Sequence, residues 1–481
     1  MSDSLYDTYQ SVFTWRYGSP EMRKLFSEIH RRKLWRRVWV ALAEAQSEYG
    51  LVSREELEDL KSRMEDVDIK RAQEIEREIK HDLMAEVKVY AEQCPVGGGK
   101  IHLGATSYDI EDNANALCFL EALDIILTRV VNCLYHFSEK IEKYKRLPCM
   151  GWTHLQPAEP TTLGYRLANY AQDLVLDVMV VERMKEVIGR GKGIKGAVGT
   201  SNSFKLLLKG RASPSELEEK IMQKLELKAF PITTQIYPRK ADYILLSILA
   251  GIAQSLHRFC LDLRVLQSPP FGEWSEPIKE AQVGSSAMPF KRNPIKSERV
   301  CSLSRYVSIL PEVAWRNAAN SILERTLDDS ANMRVIIPEA FLAVDECLML
   351  VDELISGLRV YTQMIRKNLQ RFGPFSGTEA VLMKLVERGM DRQKAHELLR
   401  VYAFKAWERV MKGEENPLLE MLTKDLLISS KLKEEEIEAA LDVRSHIGDA
   451  TERCELFLRE WVNPILERYK EKIGRESRAV F

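Results

Sequence analysis

The amino-acid sequence predicts an all-α protein built around a bundle of long helices. Residues 112–147 contain neither Gly nor Pro, open on Asp112 and stop at Pro148, as a capped helix would. Residues 165–190 and 241–268 are further long stretches without proline, and the latter places its apolar side chains on one broad stripe. At about 1.5 Å per residue, the first helix would reach roughly 50 Å, so we expect an elongated bundle.

Further helices continue the bundle in the second half of the chain. We expect them over residues 297–310, 312–337 and 339–356, because Pro311 and Pro338 each indicate a kink or a break. Signals for β-strands are few, and the best of them is the run "AFPITTQIYP".

The chain is long for one compact core, since 481 residues correspond to about three domains of ordinary size. The sequence predicts an N-terminal helical domain over residues 1–111 and a central long-helix bundle over 112–364, which carries the loop 284–294. A C-terminal helical domain is expected over residues 365–481.

The charge balance excludes some classes of partner. Lys and Arg total 70 against 71 for Asp and Glu, the formal net charge is -1, and the pI is 6.8. We expect no nucleic-acid binding, because such a chain has no general attraction to phosphate backbones. The start, "MSDSLYDTYQ", lacks a basic stretch before an apolar core, and no uninterrupted apolar stretch is long enough to cross a bilayer. We therefore expect a soluble, cytoplasmic protein with no membrane partner.

The sequence indicates neither a metal nor a nucleotide cofactor. The 8 cysteines lie far apart with no CxxC pair, which favours reduced, mostly buried thiols, with a zinc site as the alternative. The run "PVGGGK" lacks the spacing of a phosphate-binding loop, and no Gly-rich loop follows a strand.

The long helices also bear on assembly. They carry more apolar surface than one small bundle usually covers, so we expect a homo-oligomer. The alternative is a monomer whose own helices cover one another.

The loop "GSSAMPFKRNP", residues 284–294, is unusual for a helical protein because it combines a glycine, two prolines and two adjacent basic residues. Asn293 and Pro294 are expected to be the N-cap and the first residue of the next helix. The amide groups of such a helix start, together with Lys291, would suit an anion. The alternative is a surface loop with a solvated basic pair.

The same run resembles the signature of the fumarase/aspartase superfamily, whose pattern is SSxMPxKxN, and "FKRNP" followed by "IKSER" is most similar to the adenylosuccinate lyase family. Other segments agree with this resemblance in order along nearly the whole chain. They are "RYGSPEM", "TSYDIEDN", "GWTHLQPAEPTTLG", "ERTLDDSANMR" and "MDRQKAHELLR". The resemblance implies a three-domain fold whose central bundle forms a homotetrameric core, with each active site shared between subunits.

The activity that the resemblance implies is β-elimination of fumarate from adenylosuccinate, giving AMP, and from the succinyl-aminoimidazole carboxamide ribotide of purine synthesis. Ser285 would be the general base and His154 the general acid. His81, the second candidate for the acid, would contact the substrate and help to position the acid. Lys291 would stabilise the carbanion that forms when the proton leaves. An acid is needed because the amino nitrogen is a poor leaving group until it is protonated.

The implied substrate is strongly anionic, which arginine forks suit. By resemblance, the substrate-binding residues are Arg16, Tyr17, Lys80, His81, Asp82, Thr106, Ser107, Thr153, Gln235, Lys291, Asn293, Arg299, Arg325, Ser330 and Arg334. Ser330 and Arg334 would share a helix face, whereas Arg325 would lie opposite Arg334 on a continuous helix. Either the helix breaks at "LDDS" or Arg325 serves a different neighbour. Lys80 stands where many family members have Arg, so it loses a planar fork.

Two other functions remain open at this point. An enzyme similar to argininosuccinate lyases would act on a substrate without a phosphate. A relative that serves as a lens crystallin or a scaffolding protein would keep the fold and have lost the chemistry.

Overall fold

Helices account for almost all of the regular structure. The computed structural model describes residues 7–278, 286–474 and 479. The α-helices are α1 (Pro20–Leu25), α2 (Glu28–Ser47), α3 (Arg54–Ser62), α4 (Ile69–Ile79), α5 (Asp82–Gln93), α6 (Ser107–Tyr144), α7 (Leu163–Ile188), α8 (Asn202–Leu208), α9 (Pro214–Lys224), α10 (Lys240–Gln267), α11 (Ile295–Ala319), α12 (Ser330–Ser356), α13 (Thr362–Glu387), α14 (Arg392–Met411), α15 (Leu418–Thr423), α16 (Leu426–Ser429), α17 (Glu434–Leu441), α18 (Ala450–Phe457) and α19 (Asn463–Arg468). The strands are β1 (Pro148–Thr153), β2 (Gln156–Thr162), β3 (Arg190–Gly191), β4 (Lys228–Ala229), β5 (Trp274–Ser275) and β6 (Arg359–Val360). The prediction of an all-α protein is confirmed.

Five long helices, α6, α7, α10, α11 and α12, form the central bundle, and each runs opposite to the one before it. The hydroxyl of Tyr170 on α7 donates to Asp262 on α10 over 2.6 Å, which joins the start of one helix to the end of the next. Arg129 on α6 donates to Asp345 on α12 over 3.2 Å, and His136 lies 2.8 Å from Asp352 further along both helices, so these two helices run parallel. The two helices therefore begin at the same end of the bundle.

The bundle is held together by apolar packing along its whole length. Ile126 and Val130 of α6, Leu249 of α10, and Val344 and Leu348 of α12 belong to one apolar cluster, and all five are completely buried. Burying an aliphatic side chain of this size contributes about 1.5–3 kcal/mol. This packing stabilises helices that would be marginal alone, and it fixes where each helix end lies.

Helix α6 begins at Ser107, five residues before the predicted start at Asp112. Its N-cap is Thr106, whose backbone N–H donates to Oδ2 of Asp109 over 2.9 Å. Asp112 and Asn113, which the sequence suggested as caps, are buried inside the helix and bind other segments. The N-terminal boundary at residue 111 therefore lies within α6, and the three-domain division stays a prediction.

Neither Pro311 nor Pro338 breaks a helix, so of the two predicted alternatives a break is wrong and a kink stays a prediction. Both prolines lie inside helices, α11 and α12, and the actual break is the segment 320–329 between them. Buried neighbours on each side, Leu310 and Ala314, hold α11 in the core. Core packing therefore outweighs the backbone hydrogen bond that each proline removes.

The strand prediction is also largely wrong. Only residues 228 and 229 of the segment around "AFPITTQIYP" are in a strand, β4, and the rest is a loop that leads into α10. The longest strands, β1 and β2, instead form a hairpin between α6 and α7. Polar residues and prolines in β2 gave no alternation from which it could have been predicted.

Helix α10 is long and apolar enough to cross a membrane by composition, with a mean hydropathy of 1.6 over 18 residues. More than half of that window, 56%, is buried inside the bundle. The core helix of a globular protein passes the same test, so this feature is weak evidence for a membrane span. All eight cysteines are buried free thiols, as the sequence suggested.

Candidate active site

Predicted substrate-binding residues from three segments meet at the N-terminal end of α6. The Nε2 atom of His81 lies 3.5 Å from Oγ of Ser107. Nη2 of Arg334, in the first turns of α12, donates to Oδ2 of Asp82 over 2.8 Å. The fold therefore brings together residues that are as much as 252 positions apart in the sequence. We call His81, Asp82, Ser107 and Arg334, with the residues that contact them, the α6-end cluster.

Local backbone geometry presents His81 to Ser107. Lys80 ends α4 in the left-handed conformation, with a φ of 56°, so that His81 becomes the N-cap of α5. Nδ1 of His81 accepts from the backbone N–H of Met84 over 3.4 Å. A neutral His81 then carries its proton on Nε2 and can donate it toward Ser107. A non-glycine residue at positive φ is strained, and such strain is typical of functional sites.

Asp82, which is mostly buried, forms an ion pair with the half-exposed Arg334 on this surface. Burial raises the pKa of Asp82, but the charge of Arg334 and hydrogen bonds from Arg334 and the Leu83 amide outweigh burial. The net result is a pKa below the ordinary aspartate value. Asp82 is therefore a carboxylate, and it holds the guanidinium of Arg334 where an anionic ligand would compete for it.

A buried ion pair supports the turn that carries Thr106 and Ser107. Asp109 accepts from the backbone N–H of Thr106 over 2.9 Å and from that of Gly196 over 3.1 Å. Its carboxylate also pairs with the ammonium of Lys192, and both charged side chains are completely buried. Asp109 thus joins the start of α6 to the segment 191–199, and it fixes the position of the Ser107 hydroxyl.

Arg325 lies in the loop before α12, not on the helix. The helix break at "LDDS" is therefore the correct alternative of the two. Nη1 of Arg325 donates to Oδ1 of Asp329 over 2.7 Å, and its Nη2 donates to the hydroxyl of Tyr108 over 2.5 Å. Arg239 donates to the other oxygen of Asp329 over 2.8 Å. Asp329 thus holds two guanidinium groups beside Tyr108, which sequence reasoning did not identify.

Gln235 is connected to the same region through its backbone. Its N–H donates to the carbonyl of Glu324 over 3.3 Å, so the loop before α10 lies against the loop that carries Arg325. Ser330, the first residue of α12, lines a cavity of about 180 Å³ with Tyr108 and Arg334. The α6-end cluster therefore includes a recess with arginine and hydroxyl groups at its wall.

Glu111 lines the same cavity and was missed by the sequence analysis. Burial raises its pKa to about 7, and the nearby carboxylates of Asp82 and Asp112 add to that rise. A signal was present, because Glu111 follows Ser107 by four residues and so shares its helix face. Glu111 can hold or release a proton near neutral pH beside the predicted substrate-binding residues.

A second group of predicted residues, Arg16, Tyr17 and Arg299, lies deeper along the bundle. The guanidinium of Arg299 lies 5.7 Å from the ring centre of Tyr17 and donates to Oε1 of Glu346 over 3.4 Å. Arg16 also lies beside Tyr17, with its guanidinium 5.8 Å from the ring centre. Glu346 is on α12, sixteen residues beyond Ser330, which at 1.5 Å per residue is about 24 Å along the helix. This group is therefore separate from the α6-end cluster within one chain.

The signature segment differs from the prediction at its helix start. Helix α11 begins at Ile295 with Pro294 at the N-cap position, one residue later than expected. The backbone N–H groups of Lys296 and Ser297 donate to the carboxylate of Glu276, over 3.3 Å and 2.7 Å. A buried carboxylate of the chain itself therefore occupies these two amides, and anion binding by the rest of the segment, with Lys291, stays a prediction.

Other residues of the signature segment are less constrained. Lys291 is exposed, and its backbone N–H donates to the carbonyl of Met288 over 3.0 Å. Asn293 is partly buried, and its carbonyl accepts from the N–H of Ile295 over 2.9 Å. Ser285, the predicted general base, lies outside the described residues.

His154, the predicted general acid, is at the tip of the β1–β2 hairpin. Thr153 pairs with Gln156, and His154 and Leu155 form the two-residue turn with φ values of 54° and 58°. This conformation suits Asn-Gly far better than His-Leu, so the turn is strained. The hairpin tip is exposed and borders a recess of about 1050 Å³ between α7, α10 and the C-terminal helices.

The hairpin lies far from the α6-end cluster. Ser107 begins α6, and the hairpin follows the other end of the same helix. Because α6 has 38 residues, it spans about 57 Å. In the described part of the chain, neither Thr153 nor His154 forms a side-chain hydrogen bond with another predicted site residue. One chain therefore brings together only part of the predicted site.

Comparisons with known proteins agree on the chemical class. A family model described as "Lyase" matches residues 16–308, and one described as "Adenylosuccinate lyase C-terminus" matches residues 374–457. The chain is 39% identical to an adenylosuccinate lyase of Schistosoma mansoni and 38% identical to one of Saccharomyces cerevisiae, with 98% of each chain covered in both cases. The fold is similar to that of a 3-carboxy-cis,cis-muconate lactonizing enzyme from Pseudomonas putida, at 24% identity and a TM-score of 0.82, over 96% of this chain and 100% of the other.

Proposed function

The chain belongs to the adenylosuccinate lyase family, and we propose which of its residues carry out the elimination that releases fumarate from adenylosuccinate and leaves AMP. Ser285, acting as its alkoxide, takes the proton from the carbon next to a carboxylate of the succinyl group and becomes a neutral hydroxyl. The electron pair spreads into that carboxylate and then forms the double bond of fumarate. The carbon–nitrogen bond breaks as His154 gives its proton to the departing amino nitrogen. No redox partner or cofactor is needed for this balance.

Charge stabilisation is assigned to the signature segment. The negative charge that grows on the succinyl carboxylate needs donors aimed at it, and such donors supply several kcal/mol when they are held in place. Lys291 supplies a full positive charge and Asn293 an amide donor. The exposed position of Lys291 supports this role, because a substrate can approach it without prior opening of the core.

The α6-end cluster is assigned to binding the nucleotide. Arg334, Ser330 and Arg325 bind the phosphate, and Thr106 and Ser107 donate to the succinyl part. His81 orients the substrate through its Nε2 proton, as its contact with Ser107 supports. The single observation that carries the proposal is this convergence of His81, Ser107 and Arg334 from three distant segments at one surface.

We also propose that the enzyme is a homotetramer whose active sites are completed by other subunits. His154 and the α6-end cluster lie at opposite ends of a helix of 38 residues, so one chain does not bring them within reach of one substrate. Apolar side chains on the outer faces of the bundle support an interface between subunits. They include Leu176 and Met179 on α7, Leu261 on α10, and Ile309 and Trp315 on α11, which are 45% to 61% exposed.

The function is tested with purified protein and two substrates followed by absorbance. We expect turnover of adenylosuccinate and none of argininosuccinate, which lacks a phosphate for the arginines of the α6-end cluster. The succinyl-aminoimidazole carboxamide ribotide should also be cleaved, because it carries the same succinyl and phosphate groups. Turnover of argininosuccinate alone would contradict the substrate assignment, and turnover of none of the three would contradict the enzymatic function. Cytoplasmic location stays a prediction.

A further inference from the structure

Two side chains connect the stretches of chain that lead into and out of the signature segment, residues 284–294. We call these stretches its stems: the incoming stem is residues 274–278, and the outgoing stem is residues 292–297, which include the start of α11. Gln267, the last residue of α10, accepts from the backbone N–H of Glu276 over 2.9 Å through Oε1. Its Nε2 donates to the carbonyl of Arg292 over 2.9 Å. Gln267 therefore contacts the incoming stem with one atom and the outgoing stem with another.

Glu276 makes the second connection. Its side chain is almost fully buried, and its carboxylate accepts from the backbone N–H groups of Lys296 and Ser297 at the start of α11. An ionised carboxylate at a helix N-terminus is stabilised by the unpaired amides and by the helix dipole. The ammonium of Lys296 forms an ion pair with Glu353 on α12 over 2.6 Å, which fixes this helix start to the bundle.

The incoming stem is itself anchored. Trp274 and Ser275 form β5, which pairs with β6, and the hydroxyl of Ser275 lies 2.8 Å from that of Tyr361. Nη2 of Arg359 donates to the carbonyl of Ile278 over 2.9 Å. Glu276 and Gln267 thus tie the outgoing stem to a fixed part of the protein.

We propose that Glu276 and Gln267 are positioning residues for the elimination reaction, since they fix Lys291, Asn293 and Arg299 relative to the bundle through the stems of the signature segment. This proposal rests on the proposed function. Lys291 and Asn293 lie next to Arg292, whose carbonyl Gln267 holds, and Arg299 lies one helical turn after the amides that Glu276 binds. A displacement of about 1 Å in groups that stabilise a transition state costs up to a hundredfold in rate.

The alternative is that both residues only stabilise the fold, and the experiment separates the two roles. Gln267→Met removes both hydrogen bonds of a partly exposed side chain, and Glu276→Gln keeps the size but lets one oxygen serve two amides. We expect kcat for adenylosuccinate to fall about tenfold to a hundredfold in each variant. The Kd for AMP should stay within about twofold, because the α6-end cluster is not altered.

A matched control is Glu273→Gln. Glu273 is also fully buried and lies three residues before Glu276. Its carboxylate accepts from Arg166 and Asn368, and within the described residues it forms no side-chain hydrogen bond with the outgoing stem. The Glu273→Gln variant should have a lower midpoint of thermal unfolding, and its kcat should be unchanged at temperatures well below that midpoint.

The double variant completes the test. Two substitutions that disturb the same positioning have effects on the activation free energy that do not add. The double variant Gln267→Met with Glu276→Gln should therefore lower kcat by less than the product of the two single effects. Unchanged kcat in both single variants, or equal loss of kcat in the Glu273→Gln control, would overturn the positioning role. Wild-type protein that fails to cleave adenylosuccinate would instead contradict the proposed function itself.

Discussion

Ser107 and His154 lie at opposite ends of α6, although both belong to the predicted site. Ser107 is the first residue of the helix, and His154 lies in the hairpin that follows its last residue. The 38 residues between the helix ends correspond to about 57 Å. Under the proposed function, a substrate bound at Ser107 would take its His154 from another subunit, so the proposed mechanism depends on assembly.

The first prediction concerns that assembly. We expect the protein in solution to have four times the mass of the 55.3 kDa chain, because the exposed apolar residues of α7, α10 and α11 need covering. Light scattering coupled to gel filtration measures this mass. Ile309→Asp should reduce the mass and the activity together, whereas Leu427→Asp, at an exposed apolar site on the distant helix α16, should change neither. A monomer with full activity would contradict the shared site.

The second prediction concerns the general base. Ser285→Ala should lose nearly all turnover and keep its affinity for adenylosuccinate, because a lost proton acceptor acts on the transition state and not on binding. Calorimetric titration measures the affinity, and Ser286→Ala is the neighbouring control. Turnover near the wild-type level in Ser285→Ala would remove Ser285 from this role.

The third prediction concerns the phosphate of the substrate, which we propose that Arg334 binds. Arg334→Ala should weaken AMP binding far more than fumarate binding, since fumarate has no phosphate. Arg316→Ala, which removes an exposed arginine paired with Glu312 on α11, should leave both affinities unchanged. Equal losses for AMP and fumarate in Arg334→Ala would contradict the placement of the phosphate at this residue.

Stability should depend on pH through Glu111. Its pKa is raised from 4.5 to about 7 in the folded protein, so the folded state binds more protons than the unfolded state between these values. Its contribution to stability is fully present below pH 4.5 and is lost as the pH rises through 7. Glu111→Gln should therefore be more stable than wild type at pH 8, by on the order of 1–3 kcal/mol, and not at pH 4.5. Urea unfolding at both pH values tests this, and an equal difference at both would contradict it.

The buried pair of Asp109 and Lys192 gives a prediction about folding. Asp109→Ala leaves a fully buried ammonium without its partner, which costs about 3–5 kcal/mol. Thermal unfolding should show a large loss of stability. Glu186→Ala, which removes one partner of an exposed ion pair on α7, is the control and should have little effect. A small loss in Asp109→Ala would mean that Lys192 finds another partner.

The sequence predicts those parts of the fold that depend on the order of apolar and polar residues within one helix. Helices α7 and α10 lie within two residues of their predicted bounds, because their apolar periodicity and their packing agree. Neither Pro311 nor Pro338 ends a helix, because the local preference of proline is outweighed by core packing that no local window contains.

The same division applies to the site. His81, Ser107 and Arg334 could be found from motifs, and their convergence is a property of the fold. The role of Glu276 at the start of α11 could not be predicted, because its partners lie twenty and twenty-one residues further along the chain and the loop between carries the recognisable motif. The hairpin that carries His154 was missed since β2 has no strand-like alternation.

The most direct measurement is complementation between two inactive variants. His154→Ala and His81→Ala proteins are each prepared, partly unfolded together and reassembled, and native mass spectrometry verifies that hybrid tetramers form. With equal random mixing, a site that takes the two residues from different chains has an intact pair with a chance of one half times one half, or about a quarter. We expect turnover of adenylosuccinate near a quarter of the wild-type value, well above that of either parent. No recovery in verified hybrids would mean that His154 and His81 act from the same chain, and it would contradict the shared active site.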